Sequence, residues 1–454
     1  MPISTSQQNA PTTSMYIRKN PLAIALLSLM SLPSIAFGQD GASFDTGDTA
    51  WILASSALVL FMTIPGLSLF YAGLVRGRNV LSVLMHCFAL TALMTLLWIV
   101  VGYSLAFSTA GMEAGKTGLN AFVGGLDKVF MRGVSVNSPW GTIPEPLFAM
   151  FQMTFFIITP ALMVGAYVER IKFSAMLWFS ALWAIFVYLP VCHMVWGGDG
   201  GFFADRGVID FAGGIVVHIT AGVGALVACI VIGKRRDYPN RQILPHNLPM
   251  TITGAGMLWV GWFGFNGGSA LGANSDAAMA IFVTHISAAC GALGWMVFEW
   301  LKVGKPSALG IVTGSIAGLA AITPASGSVG PIGAIVIGTV STALCYLMCT
   351  KIKSRYQYDD SLDVFGVHGV GGFVGTILVA IFGSPNLGGK VEGIEMGKQL
   401  GTQLFAAIAV TLFTLIVTYA ILKILQAAIG LKVEEQDEVI GLDLSDHGES
   451  GYND

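Results

Sequence analysis

Apolar stretches alternate with short charged breaks along the chain from residue 49 to residue 430. Reading apolar windows against those breaks predicts eleven spans, near 49–74, 79–107, 145–168, 172–195, 210–233, 248–269, 275–301, 306–323, 330–351, 362–385 and 398–430. Each reaches the roughly 17–25 residues that a helical crossing of the hydrocarbon core requires. The pattern predicts an all-α membrane protein with eleven transmembrane helices. An odd number of crossings puts the two ends of this domain, residues 39–430, on opposite sides.

The first 38 residues read differently. Arg18 and Lys19 precede a short apolar run from Pro21 to Leu32, and small residues Ala36 and Gly38 lie just before Gln39. Charge, short core and small residues predict a secretory signal peptide over 1–38, with the mature N-terminus outside. Positive charge tests that orientation. Loops expected to face the cytoplasm, with the tail, hold fourteen Lys and Arg residues against six in the opposite loops. This agrees with the positive-inside rule and puts the C-terminal tail, residues 431–454, in the cytoplasm of a cell whose inner membrane carries the protein.

Composition narrows the function classes. The chain is 54% hydrophobic and 11% charged, whereas a soluble domain is about a quarter charged. A net charge of −3 and the lack of basic patches interleaved with aromatics argue against nucleic-acid binding. The six cysteines have no CxxC spacing and read as free thiols in apolar segments; Cys345 and Cys349, four apart, share a helical face without the rest of a metal set. The sequence has no HExxH, GxSxG or Walker A motif, so neither an enzyme nor an ATP-driven pump is expected, and no cofactor is called for.

Histidine placement carries the chemistry. The fifth span opens "DFAGGIVVHI", with Asp210 at its start and His218 eight residues on; the tenth opens "DVFGVHGVGG", with Asp363 at its start and His368 five residues on. Offsets differing by three keep both imidazoles on similar helical faces, yet the two spans enter from opposite sides. That arrangement predicts an inverted five-plus-five helix repeat, with His218 and His368 facing each other across one path near the midplane. Both aspartates read as N-caps, and Asp210 also lies near the outer mouth. His86 and His285 have no mirrored partner and read as structural, while His246 and His447 fall in a loop and in the tail. Much of the glycine, 57 residues in all, lies inside spans, as expected of closely packed membrane helices.

The segments "LFYAGLVRGRNVLS", "FQMTFF", "VERIKFSA", "HMVWGGDG", "GWFGFNGGSA", "GKPSALG", "ITPASG" and "GLDLSDHGESGY", together with the two histidine motifs, occur in order from about residue 49 to the end. They resemble the ammonium transporter (Amt/Mep/Rh) family, on its bacterial Amt side. The resemblance implies a homotrimer with one conduction path per subunit, carrying ammonium or ammonia, with methylammonium as a further candidate cargo. It maps an outer recruitment site onto Phe151, Trp196 and Ser269, a phenylalanine gate onto Phe155 and Phe265, and the twin histidines onto His218 and His368. Asp210, Asn266 and Thr323 match structural or near-path positions. Met153 and Phe156 are bulkier than the family pattern around the gate, and His86 and His285 stand where no histidine is expected.

A cation recruited by ring faces and stripped of its proton before an apolar lumen would be distinguished from potassium, which has no proton to give. Whether the proton then crosses separately, giving net ammonium transport, or returns, giving an electroneutral ammonia channel, is open at this stage. An ammonium sensor on the same bundle is the alternative function. The acidic tail reads by composition as a solvated end, while the resemblance implies an ordered regulatory segment where a PII-type signalling protein docks.

Overall fold

Eleven helical segments correspond one to one with the eleven expected spans in the computed structural model, which describes residues 43–241 and 243–452. They are α1 (Thr46–Leu74), α2 (Gly77–Phe107), α3 (Glu145–Tyr167), α4 (Phe173–Trp196), α5 (Gly214–Ile232), α6 (Leu248–Gly268), α7 (Ser275–Val303), α8 (Ala308–Ile322), α9 (Pro331–Tyr356), α10 (Phe365–Phe382) and α11 (Met396–Ala428). Nine are long and apolar enough to span a bilayer on those criteria alone. The exceptions are α8, at 15 residues, and α6, whose composition is diluted by glycine. The glycines of α6 serve packing: a Cβ on Gly264 would lie 2.6 Å from Leu58 Cβ, so α1 can approach only a bare backbone. The signal peptide expected over 1–38 lies outside the described residues.

Side-chain caps start several helices. Asn247 accepts from Met250 N–H at the start of α6, Asn274 from Asp276 and Ala277 at α7, and Ser307 from Gly310 at α8. Within α1 the backbone is extended at Ile64 (φ −128°, ψ 110°), directly before Pro65, as the steric demand of proline on its predecessor requires. Between α2 and α3 a loop ends in a two-residue antiparallel pair, β1 (Pro139–Trp140) with β2 (Ile143–Pro144). The cysteines of the described residues are all free.

The five-plus-five relation is written in the caps of α5 and α10, and here the expected pairing needs correcting. Asp210 accepts the backbone N–H groups of Gly213, Gly214, Ile215 and Val216, at 2.5–3.0 Å. The corresponding carboxylate at α10 is Asp360, which accepts from Val364 (3.1 Å) and Phe365 (2.8 Å). Asp363, read from sequence as the cap, instead has φ 61° and pairs with Lys353 at 2.7 Å. Both caps therefore precede their histidines by eight residues, Asp210 to His218 and Asp360 to His368. The exposed first-turn N–H groups of a helix attract a carboxylate, so each helix start is fixed and each imidazole is set at the same depth.

Past the helices the chain returns along one face. The tail forms α12 (Glu435–Ile440) and α13 (Leu442–His447), joined to the α3–α4 turn by Lys172 N–H to Leu431 O (2.9 Å) and Val433 N–H to Arg170 O (3.0 Å). We call this the tail face, and the opposite one, where α4 ends at Trp196, the mouth face.

Candidate functional site

From the mouth face inward, aromatic rings line a single track. Phe151 and Phe155, one turn apart on α3, meet edge to face with centroids 5.0 Å apart. Phe155 also meets Trp196 edge to face at 5.8 Å and lies 4.2 Å from Phe265 of α6. Phe155 and Phe265 are each 1% exposed, so the track is closed at this pair. Trp196 is held by its indole N–H, which donates to the Asp210 carbonyl at 2.8 Å. Asp210 thus fixes the α5 start through its carboxylate and the mouth indole through its backbone. Ser269 donates its hydroxyl to Phe265 O (2.8 Å), which leaves its oxygen lone pairs free to accept.

Below the closed pair, His218 and His368 lie nearly parallel, with centroids 5.2 Å apart and planes 19° apart. Their Nδ1 atoms are 3.2 Å apart. Two neutral imidazoles can bond in this way only if one Nδ1 donates and the other accepts. The remaining Nε2 atoms are then unlike: one bears a lone pair, the other a proton. His218 Nε2 has no partner among the described residues. Trp262 stacks on His218 at 5.5 Å and is itself held by its N–H to Thr323 Oγ1 (2.9 Å). Asn266 donates to Thr284 Oγ1 (2.8 Å), and its own side-chain oxygen has no partner among the described residues.

The crossing of α5 and α10 brings the rings together. Gly222 and Gly369 meet there backbone to backbone, and a Cβ on Gly222 would overlap Gly369. The histidines share a cavity otherwise walled by carbon, including Leu67, Ile158, Leu258, Trp262 and Phe265. Its free volume of ≈ 10 Å³ is about that of one water-sized sphere. His368 also lines a second cavity of ≈ 210 Å³, bounded by Phe70, Thr313, Ser361 and Asp363, on the side of the tail face. Phe155, Phe265, His218 and His368 therefore follow one another ring to ring, with Phe151 and Trp196 packed on Phe155 and Ser269 bonded to Phe265.

Other expectations fare differently. Phe156 packs against Trp98 (5.2 Å) and Tyr188 (5.4 Å), on the side of α3 away from Phe265, so its bulk does not enter the constriction. His285 is exposed on the bundle exterior beside Trp259. His86 is buried against Phe173, whose edge meets His447 of the tail. His193 was missed by sequence reasoning: it is fully buried, with Nδ1 2.8 Å from Ala106 O and Nε2 2.8 Å from Asn120 O. It ties α4 to the end of α2 and the following loop, three residues before Trp196. The quoted segment "HMVWGGDG" contained it, and its place one helical turn from Trp196 was the available signal.

On the tail face a buried charge network organises the helix ends. Glu169 binds Arg76 (2.9 Å) and Arg235 (3.1 Å), and Arg235 also grips Asp359 (2.8 Å). Burial pushes the Glu169 carboxyl up, but Arg235 and Arg76 outweigh it and hold it below its ordinary 4.5. Burial acts likewise on Asp359, which Arg170 and Arg235 hold below its ordinary 3.8. Asn79 joins network to tail, donating to Glu169 (3.0 Å) and accepting Leu442 N–H (2.8 Å). Asp443 of the tail then caps α2 through Leu81 and Ser82 N–H, at 3.0 and 2.7 Å.

The model of the Ammonium Transporter Family matches residues 50–452. The chain belongs to the ammonium transporter family. An ammonium transporter of Aquifex aeolicus is 47% identical over 432 residues, covering 94% of this chain and 98% of that protein. The crystal structure of Saccharomyces cerevisiae Mep2 is similar at 36% identity and TM-score 0.77, over 87% of this chain and 88% of that one. A structure titled "Sensor Amt Protein" is also similar, at 27% identity and TM-score 0.81, over 88% and 98% of the two chains. This ammonium transporter family member is accordingly an all-α, multi-pass membrane protein.

Proposed function

We propose that the chain carries ammonium across the membrane by recruiting the cation at the mouth, removing its proton and passing ammonia along the histidine pair. Ammonium docks against the faces of Phe151 and Trp196, each face worth about 0.5–2 kcal/mol to a cation, and donates a hydrogen bond to Ser269. It passes as Phe155 and Phe265 swing apart. An unpaired charge in the carbon-walled cavity beyond costs several kcal/mol, so the neutral molecule is favoured there.

The observation that carries this reading is the histidine pair in an apolar cavity with room for one small molecule. Its unlike Nε2 atoms offer ammonia one acceptor and one donor, matching a molecule with both functions. Potassium matches ammonium in charge and is similar in size, but has no proton to lose and meets no oxygen cage in the cavity. Net ammonium transport is our preferred version, with the joined Nδ1 atoms as a proton relay. The greater identity to the transporter of Aquifex aeolicus than to the sensor structure favours transport over sensing.

We place the tail face in the cytoplasm. Its support is the cluster of Arg76, Arg78, Arg170, Lys172, Arg235, Arg236 and Lys432 around the tail, in keeping with the positive-inside rule. Assembly as a homotrimer, docking of a PII-type signalling protein on this face, and methylammonium as a second cargo follow the family resemblance.

Internal pH in liposomes carrying the purified protein tests the transport reading. Ammonium outside should change the internal pH in proportion to protein content and beyond the rate of bare lipid. Equal rates with and without protein would reject it.

A further inference from the structure

Two adjoining cavities of ≈ 370 and ≈ 210 Å³ on the tail face share Arg76, Arg78, Asp237 and Arg241 as wall residues; Arg236 and Glu438 help to close the second. Four guanidinium groups thus face two carboxylates, and those carboxylates are already engaged. Asp237 pairs with Arg76 (3.2 Å), while Glu438 accepts Arg236 N–H (2.6 Å) and lies 3.5 Å from Lys432. Arg76 is further committed to Glu169 at 2.9 Å. The Arg236–Glu435 pair, 2.9 Å apart, is largely exposed and weakly held for that reason. Arg78 and Arg241 make no ion pair among the described residues.

Walled excess positive charge concentrates anions, and planar guanidinium forks match phosphoryl oxygens in geometry and charge. We propose that this double cavity binds a phosphoryl anion, with Arg78 and Arg241 as its principal donors. The larger compartment has the volume of a small-molecule site. Its walls come from the α1–α2 turn and the α5–α6 loop, at the level of the helix ends, so both a diffusible diphosphate and the headgroup of an acidic lipid can reach it. The site also touches the tail: Glu438 and Val439 wall the smaller compartment, and Gly441 (φ 105°) packs on Arg78 so closely that a Cβ there would lie 2.6 Å from Arg78 Cβ.

Titration calorimetry of the full chain in uncharged detergent with inorganic pyrophosphate tests one source. Retention of phosphatidylglycerol against phosphatidylcholine during delipidation tests the other. Saturable pyrophosphate binding that weakens about tenfold or more in R78Q/R241Q, with ammonium transport unchanged, supports a diffusible ligand. Selective phosphatidylglycerol retention lost in the same variant supports the headgroup. Absence of both from the native protein, or either one persisting undiminished in R78Q/R241Q, overturns the proposal. R241Q alone, at an exposed loop position, serves as the comparison if the double variant does not fold.

Discussion

Asp210 and Asp360 are mirror-related caps: each carboxylate closes the start of a helix, and each stands eight residues before one of the two stacked histidines. Position within the membrane is thereby set from two opposite ends by the same device. The Asp210 cap is the fuller, receiving four backbone N–H groups against two at Asp360.

Removing the fuller cap should matter. Asp210→Ala leaves four buried N–H groups without their acceptor and should lower stability by about 1–3 kcal/mol, with loss of transport because α5 carries His218. Asp210→Asn keeps one acceptor oxygen and should fall between. Thermal unfolding midpoints in detergent, read beside transport rates, check the order; equal midpoints for all three proteins would show that the cap does not set the helix.

Close packing at the α5–α10 crossing makes a second, paired prediction. Gly222→Ala drives a methyl into Gly369 and should cost about 1–3 kcal/mol of overpacking while separating the histidines. Gly256→Ala meets open space in α6 and should be neutral or stabilise by up to about 1 kcal/mol. The same unfolding assay distinguishes them, and similar effects at both sites would mean that the crossing is slack.

In the proposed mechanism the gate and the selecting element are separable. Phe155→Ala opens the constriction that Phe155 and Phe265 close but leaves the residues that wall the cavity at the histidines in place. Ammonium entry should become less hindered while potassium remains excluded. Potassium flux through Phe155→Ala would move selection from the cavity to the rings.

Acid should release the tail. Glu169 and Asp359 have folded values below their ordinary 4.5 and 3.8, so the folded state binds their protons less readily than the unfolded chain does. Their stabilisation is complete above about pH 4.5 and is lost as pH falls from there through the depressed folded values. Protease cleavage of the tail should accelerate over that range in the native protein and depend less on pH in Glu169→Gln.

The spans and the histidine pair were legible because bilayer thickness and backbone periodicity act locally on the sequence. The cap of α10 was not. Asp360 and Asp363 both precede the same apolar run, and only the backbone, left-handed at Asp363, decides which carboxylate meets the first N–H groups. Phe156 reads from sequence as added bulk around the gate because it follows Phe155, but adjacent residues on a helix point about 100° apart, and its ring faces Trp98 and Tyr188. His193 and the Arg76–Glu169–Arg235–Asp359 network join segments far apart in the chain, for which spacing offers no rule.

In the proposed mechanism ammonium is deprotonated before it crosses the histidine pair, with its proton relayed through them. Currents on solid-supported membranes, comparing ammonium with potassium pulses for the native protein and His218→Ala/His368→Ala, test it most directly. The proposed mechanism predicts an ammonium-evoked current that scales with protein density, is absent with potassium, and loses that selectivity in the double variant. A double variant that still carries ammonium current and still excludes potassium would contradict it.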